Sequence, residues 1–247
     1  MIKMFCFKNS RNFGDIFTEA LLNKFEVAFE KCHRENIEES QLFGCGSILD
    51  LVPDGFTGDI LGSGLKYKES EKDLSKANVL ALRGKLTRER CILRNNVLLG
   101  DVGLLSHLFV RSRDKKFVLG IVPHFQDKDR WQVKEWIGRK FVKIIDIEAG
   151  VEQVVNDIAS CEMVVSSALH GLIVADSIGI PNRWVILDKK MDRFKFYDYY
   201  SVFGLKPKPD EEINYFNPSS YNRRGIADIK AQWEILIKKY ADRLKSA

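Results

Sequence analysis

The sequence predicts an α/β protein built on parallel sheets, and three observations indicate that class. Short runs rich in β-branched residues alternate with segments of helical periodicity along most of the chain, which is typical of parallel strands joined by crossover helices. Most of the predicted strands end at or near a glycine, as turns from a strand into a helix often do. The chain has 247 residues, a length that accommodates two small domains with their own cores.

The first half of the chain is predicted to alternate strands with helices. From Phe17 to Phe29 apolar residues recur at helical spacing, which places them on one face of a helix. The strands are expected at residues 2–7, 42–49, 59–64 and 79–83, and the helices at 17–29 and 86–93.

The second half repeats this pattern after a polar segment at residues 110–116, which separates two apolar blocks. We therefore expect an N-terminal domain over residues 1–112 and a C-terminal domain over 113–247. Open α/β sheets bind ligands at the carboxyl ends of their strands, so a ligand is expected in the cleft between the domains. The strands are expected at residues 117–122, 141–147, 163–166 and 184–187, and the helices at 129–137, 151–161, 169–178 and 226–244.

Composition narrows the classes of function. The net charge of +5 is spread along the chain, and the lack of a basic block with interleaved aromatics argues against nucleic-acid binding. The five cysteines form no CxxC pair and are expected to be buried and reduced, as in a reducing compartment. Because the four histidines are far apart in sequence, no metal site is predicted. No signal peptide or membrane-spanning run is found, which favours a cytoplasmic protein with at most peripheral membrane contact.

The strongest local motif is MVVSSALHG at residues 163–171. A buried strand runs through Ser166 and Ser167 into a helix, so free amides and a positive helix end are expected to face the cleft and favour an anion such as phosphate. His170 lies in the first turn of that helix, where it could bind a phosphate or transfer a proton. The structural alternative is that a serine caps the helix and His170 packs in an interface.

Two further motifs follow predicted strands of the first half. In NFGD at residues 12–15, Asp15 either caps a helix or supplies a carboxylate at the floor of the cleft. In LRGKLTR at residues 82–88, Arg83 and Lys85 could clamp a phosphate or carboxylate, Arg83 in bidentate fashion.

Weaker signals come from four other places. Asp101 is expected to cap a short helix, and His124 follows a buried strand at the end that faces the cleft. The segment FKFYDYY at residues 194–200 either packs between domains or forms an aromatic wall for a sugar. Glycine turns such as GCGS at residues 44–47 match neither a P-loop nor GxGxxG.

Taken in order, these segments resemble the polysaccharide pyruvyl transferase family. The most specific is the block IASCEMVVSSALHGLIVADSIGIP at residues 158–181. The other matching segments are NFGD at 12–15, LRGKLTRE at 82–89, GDVGLL at 100–105, VPH at 122–124 and FKFYDYY at 194–200.

This resemblance implies a glycosyltransferase-B-like fold, in which two Rossmann-like domains with parallel sheets face one cleft. It also implies phosphoenolpyruvate as co-substrate. Nothing in the sequence demands a metal, and no further cofactor is expected. The family joins pyruvate as a cyclic ketal to two hydroxyls of a sugar and releases phosphate. The acceptor is a cell-surface polysaccharide or its lipid-linked precursor, which would bring the enzyme to the inner face of the membrane. The N-terminal domain is expected on the acceptor side and the C-terminal domain on the donor side.

The resemblance also suggests roles for individual residues. His170 is expected to act as general acid or phosphate ligand, and Asp15 as base. Many family members carry Arg two residues before the histidine, where this chain has Ala168; Arg83, Lys85 and Arg193 are the expected substitutes. The donor side is expected to comprise Arg83, Lys85, Ser166, Ser167, Leu169, Gly171, His124 and Arg193, and the acceptor side Asn12, Asp101, Phe196 and Tyr197.

Two other functions stay open at this point. A nucleotide-sugar glycosyltransferase of the same fold would hold a diphosphate at the same helix end, with Asp176 or Asp188 near the ribose. A catalytically silent binding member of a polysaccharide assembly system is the second alternative, because Ala168 replaces the arginine. The sequence predicts no oligomeric state.

Overall fold

The structure is a computed structural model that describes residues 1–220 and 225–246, and it contains both strands and helices in each half of the chain. The strands are β1 (Ile2–Phe5), β2 (Phe29–Cys32), β3 (Leu42–Phe43), β4 (Asp59–Ser63), β5 (Lys72–Asp73), β6 (Asn78–Leu82), β7 (Cys91–Ile92), β8 (Leu98–Leu99), β9 (Phe117–Val122), β10 (Val142–Ile144), β11 (Cys161–Ser166) and β12 (Asn182–Trp184). The α-helices are α1 (Phe13–Lys24), α2 (Lys85–Arg88), α3 (Trp131–Lys134), α4 (Val151–Ala159), α5 (Leu169–Ile178), α6 (Phe194–Ser201) and α7 (Ile226–Ser246).

Two parallel sheets organise the chain, one in each half. The first has six strands in the order β2-β1-β3-β4-β6-β8, and the second has four in the order β10-β9-β11-β12. Every pairing within them is parallel. The predicted α/β class with parallel sheets is confirmed.

Two predicted helices of the first half have different bounds in the structure. α1 spans Phe13–Lys24 and ends before Glu26, whose φ is +55°, and Phe29 then begins β2 beside β1. The helix predicted at residues 86–93 is only the single turn of α2, followed by β7. In both places the apolar residues that predicted one helix are divided between the end of a helix and the strand that follows. Periodicity alone does not show where the helix ends and the strand begins.

Helix α5 has the predicted bounds, Leu169–Ile178, and lies at the junction of the two halves. Nearly all of its side chains are buried, as expected for a helix that is apolar on every side. It packs against the 3₁₀ segment Val102–Phe109. There the Ser177 hydroxyl donates to the Leu104 carbonyl at 2.6 Å and accepts from the His107 amide at 2.9 Å.

The apolar core is continuous between the halves. One cluster of buried side chains includes Met4 and Leu61 from the first sheet and Val164 from the second, together with Ile173 of α5 and Trp233 of α7. Residues 110–116 lie outside helix and strand, as the polar segment predicts. The proposed boundary at residue 112 and the glycosyltransferase-B-like arrangement of two domains stay predictions.

Helix α7 follows the second sheet in sequence but packs on the first half. It contacts β8 and the Val102–Phe109 segment, and the Tyr240 hydroxyl donates to Asp59 Oδ2 at 3.0 Å on β4. Trp233, a residue of this helix, is fully buried. Within the described part of the chain, α7 included, no helix has both the length and the hydropathy to span a membrane.

A buried ion pair fixes α6 to the end of β6. Asp198 of α6 accepts from Arg83 Nε at 2.8 Å, and from the amide and hydroxyl of Thr87 at 2.8 and 2.7 Å. Arg83 and Asp198 are 1% and 0% exposed. Gly84 permits this contact, because a Cβ there would overlap the Asp198 backbone.

Replacing Asp198 by Asn is expected to lower the free energy of unfolding by about 3–5 kcal/mol, because the Arg83 guanidinium stays buried without its counter-charge. Chemical denaturation monitored by circular dichroism measures this. The matched control is Glu211→Gln, since Glu211 pairs with Lys189 on the surface with both side chains over 70% exposed, and its expected cost is at most about 1 kcal/mol. Equal effects of the two substitutions would contradict the role given to the buried pair.

Truncating Trp233 to Ala is expected to cost about 3–5 kcal/mol of unfolding free energy, because it leaves a cavity between α7 and the first half. Ile235 lies on the same helix but is 58% exposed, so Ile235→Ala should change stability by no more than about 0.5 kcal/mol. The same denaturation experiment compares them. A small loss for Trp233→Ala would show that α7 docks without this side chain.

Candidate active site

Loops that follow parallel strands of both sheets meet around His170. In the first half, Gly14 and Asp15 follow β1, Cys45 follows β3 and Asp101 follows β8. In the second half, β11 leads directly into α5, whose first turn contains His170. The carboxyl ends of the strands therefore carry the candidate residues, as expected for open parallel sheets.

Close packing fixes the His170 ring. Gly14 lies so near that a Cβ there would overlap the imidazole, so only glycine fits this position. The Phe13 ring centroid lies 5.8 Å from that of His170. The Nε2 atom of His170 is 3.3 Å from Cys45 Sγ and 3.9 Å from Asp101 Oδ2. The side chain is 12% exposed, so one edge remains open to a ligand.

Opposing influences set the protonation of His170. Burial lowers the pKa of the imidazole, and the carboxylates of Asp101 and Asp15 work in the opposite direction. The ring is therefore mainly neutral near pH 7, and additional negative charge beside it would favour proton uptake.

Asp101 is buried at the start of the Val102–Phe109 segment. Its Oδ1 accepts from the Gly103 amide at 2.8 Å, which confirms the predicted capping role. Among the described residues its Oδ2 has no hydrogen-bond partner and is out of contact with solvent. A carboxylate oxygen in that condition is costly, so it marks a position that favours a cation or a proton donor.

Asp15 is partly exposed, in the first turn of α1. Its Oδ2 accepts from the Ser10 hydroxyl at 2.6 Å. The helix begins at Phe13 with Asn12 as its N-cap residue, so Asp15 does not cap the helix. Its carboxylate lies within electrostatic range of both His170 and Lys195.

Lys195 is a member of this site that the sequence analysis did not single out. It lies in the first turn of α6, and within residues 1–220 and 225–246 its ammonium forms no ion pair or hydrogen bond. Burial lowers the pKa of Lys195 to about 8, and the Arg83 guanidinium contributes in the same direction. The positive charge of Lys195 in turn helps to lower the pKa of both His170 and His124. A lysine between two phenylalanines, in the aromatic segment at residues 194–200, was the available signal.

His124 follows β9 and is partly buried. Burial lowers its pKa to about 4, and the charge of Lys195 adds to the lowering. His124 is therefore neutral at physiological pH and can offer a hydrogen bond but not a positive charge.

The three cations expected to replace the missing arginine lie in different environments. Arg83 donates to Asp198, to Ser47 Oγ at 2.6 Å and to the Leu65 carbonyl at 2.6 Å, which places its guanidinium beneath the site. Lys85 is exposed at the start of α2, and Arg193 is partly exposed at the N-cap position of α6.

The two serines of the β11–α5 turn are committed to the protein. Ser166 donates to the Val122 carbonyl and accepts from the Ala168 amide, at 2.8 and 3.0 Å. Ser167 donates to Asp127 Oδ2 at 2.7 Å and accepts from the His124 amide at 2.9 Å. Neither hydroxyl caps α5, whose N-cap residue is Ala168 with no side-chain bond.

The first amides of α5, which include those of Leu169 and Gly171, have no acceptor within the helix. Gly171 also permits close packing, because a Cβ there would overlap Ser166 Oγ. Of the predicted acceptor residues, Phe196 is buried and stacks on Trp184 with centroids 4.3 Å apart. Tyr197 contacts the same indole edge-on at 5.4 Å and is partly exposed.

The two carboxylates proposed for a ribose already have protein partners. Asp176 is 2% exposed and accepts from Asn182 and from the Tyr199 hydroxyl, both at 2.7 Å. Asp188 pairs with Arg130 at 2.8 Å. No geometric feature of these two residues favours nucleotide-sugar binding.

The sequence of this chain is similar to those of known proteins. Residues 42–188 match the family model described as polysaccharide pyruvyl transferase. The uncharacterized protein L143 of Acanthamoeba polyphaga mimivirus is 33% identical over 160 residues, which are 60% of this chain and 55% of that protein. The succinoglycan biosynthesis protein ExoV of Rhizobium meliloti (strain 1021) is 24% identical over 212 residues, 80% of this chain and 63% of that protein.

The chain therefore spans somewhat over half the length of each of these two relatives. The family match covers more than half of the chain itself, including β3, both sheets' central strands and the whole of α5. The chain belongs to the polysaccharide pyruvyl transferase family.

Proposed function

We propose that this protein transfers pyruvate from phosphoenolpyruvate to two hydroxyls of a saccharide, forming a cyclic ketal and releasing phosphate. The observation that carries the proposal is the position of Lys195, whose ammonium forms no ion pair or hydrogen bond among the described residues and lies within electrostatic range of His170 and Asp15. A dianionic donor requires such a cation, and its reaction requires an acid and a base at the same place.

The donor binds between Lys195 and the start of α5. Its phosphate or carboxylate accepts from the Lys195 ammonium and from the first amides of the helix, where the helix dipole favours negative charge. Lys195 thereby supplies the positive charge that Ala168 does not. The buried Arg83 guanidinium, which is fixed by its bonds to protein groups, adds positive charge near the donor.

Proton uptake by His170 accompanies donor binding. The pKa of the free imidazole is lowered by burial, and the negative charge of the donor raises it again. The imidazolium then donates its proton to the methylene carbon of phosphoenolpyruvate, which generates positive charge at the adjacent carbon. One sugar hydroxyl adds to that carbon and loses its proton to Asp15.

The second hydroxyl completes the ketal. It forms a bond to the same carbon while the carbon–oxygen bond to phosphate breaks, and the electron pair leaves with the phosphate. Its proton passes to the departing phosphate, and Asp15 releases the proton of the first hydroxyl to solvent, so the enzyme returns with a neutral His170 and an ionised Asp15. Asn12 and Tyr197, both partly exposed, are the proposed contacts of the saccharide, which is a polysaccharide or its lipid-linked precursor at the membrane.

Donor binding should weaken as pH rises through about 8, because Lys195 loses its charge there. Below that pH the ammonium is fully charged, and the proton uptake by His170 makes affinity rise further as pH falls; above it, the loss of the Lys195 charge lowers affinity by up to a further ~tenfold per pH unit if only the charged form binds. Titration calorimetry with phosphoenolpyruvate from pH 6.5 to 9.5 measures this. Lys195→Met should weaken binding about 10- to 100-fold at pH 7 and flatten the profile.

The matched control is Lys189→Met, since Lys189 is an exposed lysine paired with Glu211 and should bind like wild type. Titration with a nucleotide sugar runs in parallel. Binding of the nucleotide sugar but not of phosphoenolpyruvate would overturn the donor assignment. Full donor affinity in Lys195→Met would remove Lys195 from the donor site. Donor binding without turnover of any saccharide would favour a silent binding protein.

His170→Asn should lower ketal formation about 10²- to 10⁴-fold, because the substitution removes the proton donor while keeping a similar volume. Phosphate release in the presence of acceptor oligosaccharides provides the assay. His33→Asn serves as control, since His33 lies outside the site, where its ring bonds the Cys6 carbonyl. Unchanged turnover in His170→Asn would exclude this histidine from proton transfer.

A further inference from the structure

Three side chains with metal-binding atoms meet inside the site, each from a different strand-end loop. They are Cys45 after β3, Asp101 after β8 and His170 at the start of α5. Their thiol, carboxylate and imidazole ligand atoms all lie within 4.8 Å of one another. Nothing in the proposed ketal chemistry uses the Cys45 thiol.

The spacing of these atoms suits a small divalent ion. Cys45 Sγ is 3.3 Å from His170 Nε2 and 3.6 Å from Asp101 Oδ1, and His170 Nε2 is 3.9 Å from Asp101 Oδ2. Ligand bonds of ~2.0–2.3 Å in a tetrahedron put neighbouring ligand atoms ~3.3–3.8 Å apart. An ion could therefore bind with little movement of the side chains.

The unsatisfied oxygen of Asp101 independently points to a ligand. This carboxylate is 0% exposed, its Oδ2 has no hydrogen-bond partner in the described residues, and Oδ2 faces His170. Within the same part of the chain no Lys or Arg forms an ion pair with Asp101. A bound cation would satisfy this buried charge directly.

The surroundings hold the three ligands in place. The Cys45 amide donates to Thr18 Oγ1 at 2.7 Å, Asp101 is fixed by the Gly103 amide, and the His170 ring is packed against Gly14. Three protein ligands leave a fourth position of a tetrahedron for water or substrate.

We propose that Cys45, Asp101 and His170 form a binding site for one thiophilic divalent cation of the Zn²⁺ class. The thiolate and imidazole favour zinc or cobalt over magnesium or calcium, which prefer oxygen ligands. Binding replaces the thiol proton: the sulfur–hydrogen bond breaks, a sulfur–metal bond forms, and one proton is released to solvent.

This site goes beyond the proposed transfer reaction and has a consequence for it. A metal ion and a proton cannot both be bound to Nε2 of His170. The metal-bound protein therefore cannot deliver a proton from that atom of His170, so a zinc-class ion would act as an inhibitor of the step assigned to it.

Cobalt titration of the chelator-treated, dialysed full chain tests the site without donor or acceptor, so its result is independent of the proposed function. Wild-type protein should bind one equivalent, with a thiolate-to-cobalt charge-transfer band in the near ultraviolet, and zinc should displace it. Cys45→Ser should abolish that band and weaken binding by at least the ~10–100-fold typical of losing an outer partner. Cys91→Ser, a buried thiol outside the site, should behave like wild type.

Two results would overturn the proposal: wild-type protein without the charge-transfer band, or a band that persists in Cys45→Ser. Circular dichroism establishes that each variant is folded. If Cys45→Ser is not folded, His170→Asn replaces it; this variant should keep the thiolate band but bind cobalt at least tenfold more weakly. Unchanged affinity in folded His170→Asn would also overturn the proposal.

Discussion

The buried pair between Arg83 and Asp198 is the contact on which the geometry of the site depends. Asp198 receives three hydrogen bonds from Arg83 and Thr87, and it belongs to the same helix as Lys195, one turn further along. Because both charges are removed from water, the pair is favourable only in good geometry. That requirement fixes α6 against the end of β6 and so determines where the Lys195 ammonium stands relative to His170. Arg83 thus shapes the proposed anion site even though its own hydrogen-bond donors bind protein groups.

A second constraint is the balance of charge around His170. Burial lowers the pKa of the imidazole, whereas the carboxylates of Asp101 and Asp15 act to raise it. A group held in this intermediate condition responds to the arrival of an anion or a cation nearby. In our proposals a donor anion promotes protonation of the ring, and a zinc-class ion at Cys45 and Asp101 prevents it. Both responses follow from one buried imidazole between carboxylates and a thiol.

Membership of the polysaccharide pyruvyl transferase family makes the position of Ala168 informative. The arginine found there in many members is absent, and the structure places a lysine from a different helix within electrostatic range of the same histidine. A cation on α6 would keep a positive charge at the site, but this charge would come from a different element than the β11–α5 turn.

The sequence by itself determined the α/β class, the parallel sheets, the bounds of α5 and the position of His170 in its first turn, because strand and helix periodicities are local properties of the chain. It also identified Asp101 as a cap, since capping involves near neighbours. Only the tertiary structure decided that Ser166 and Ser167 bond to the protein, that Phe196 belongs to the core and that Arg83 lies beneath the site. It alone brought together Cys45, Asp101, His170 and Lys195, which are separated by up to 150 residues. Such contacts depend on how strand-end loops from two sheets pack, and no periodicity within one segment records which distant segment will lie beside it.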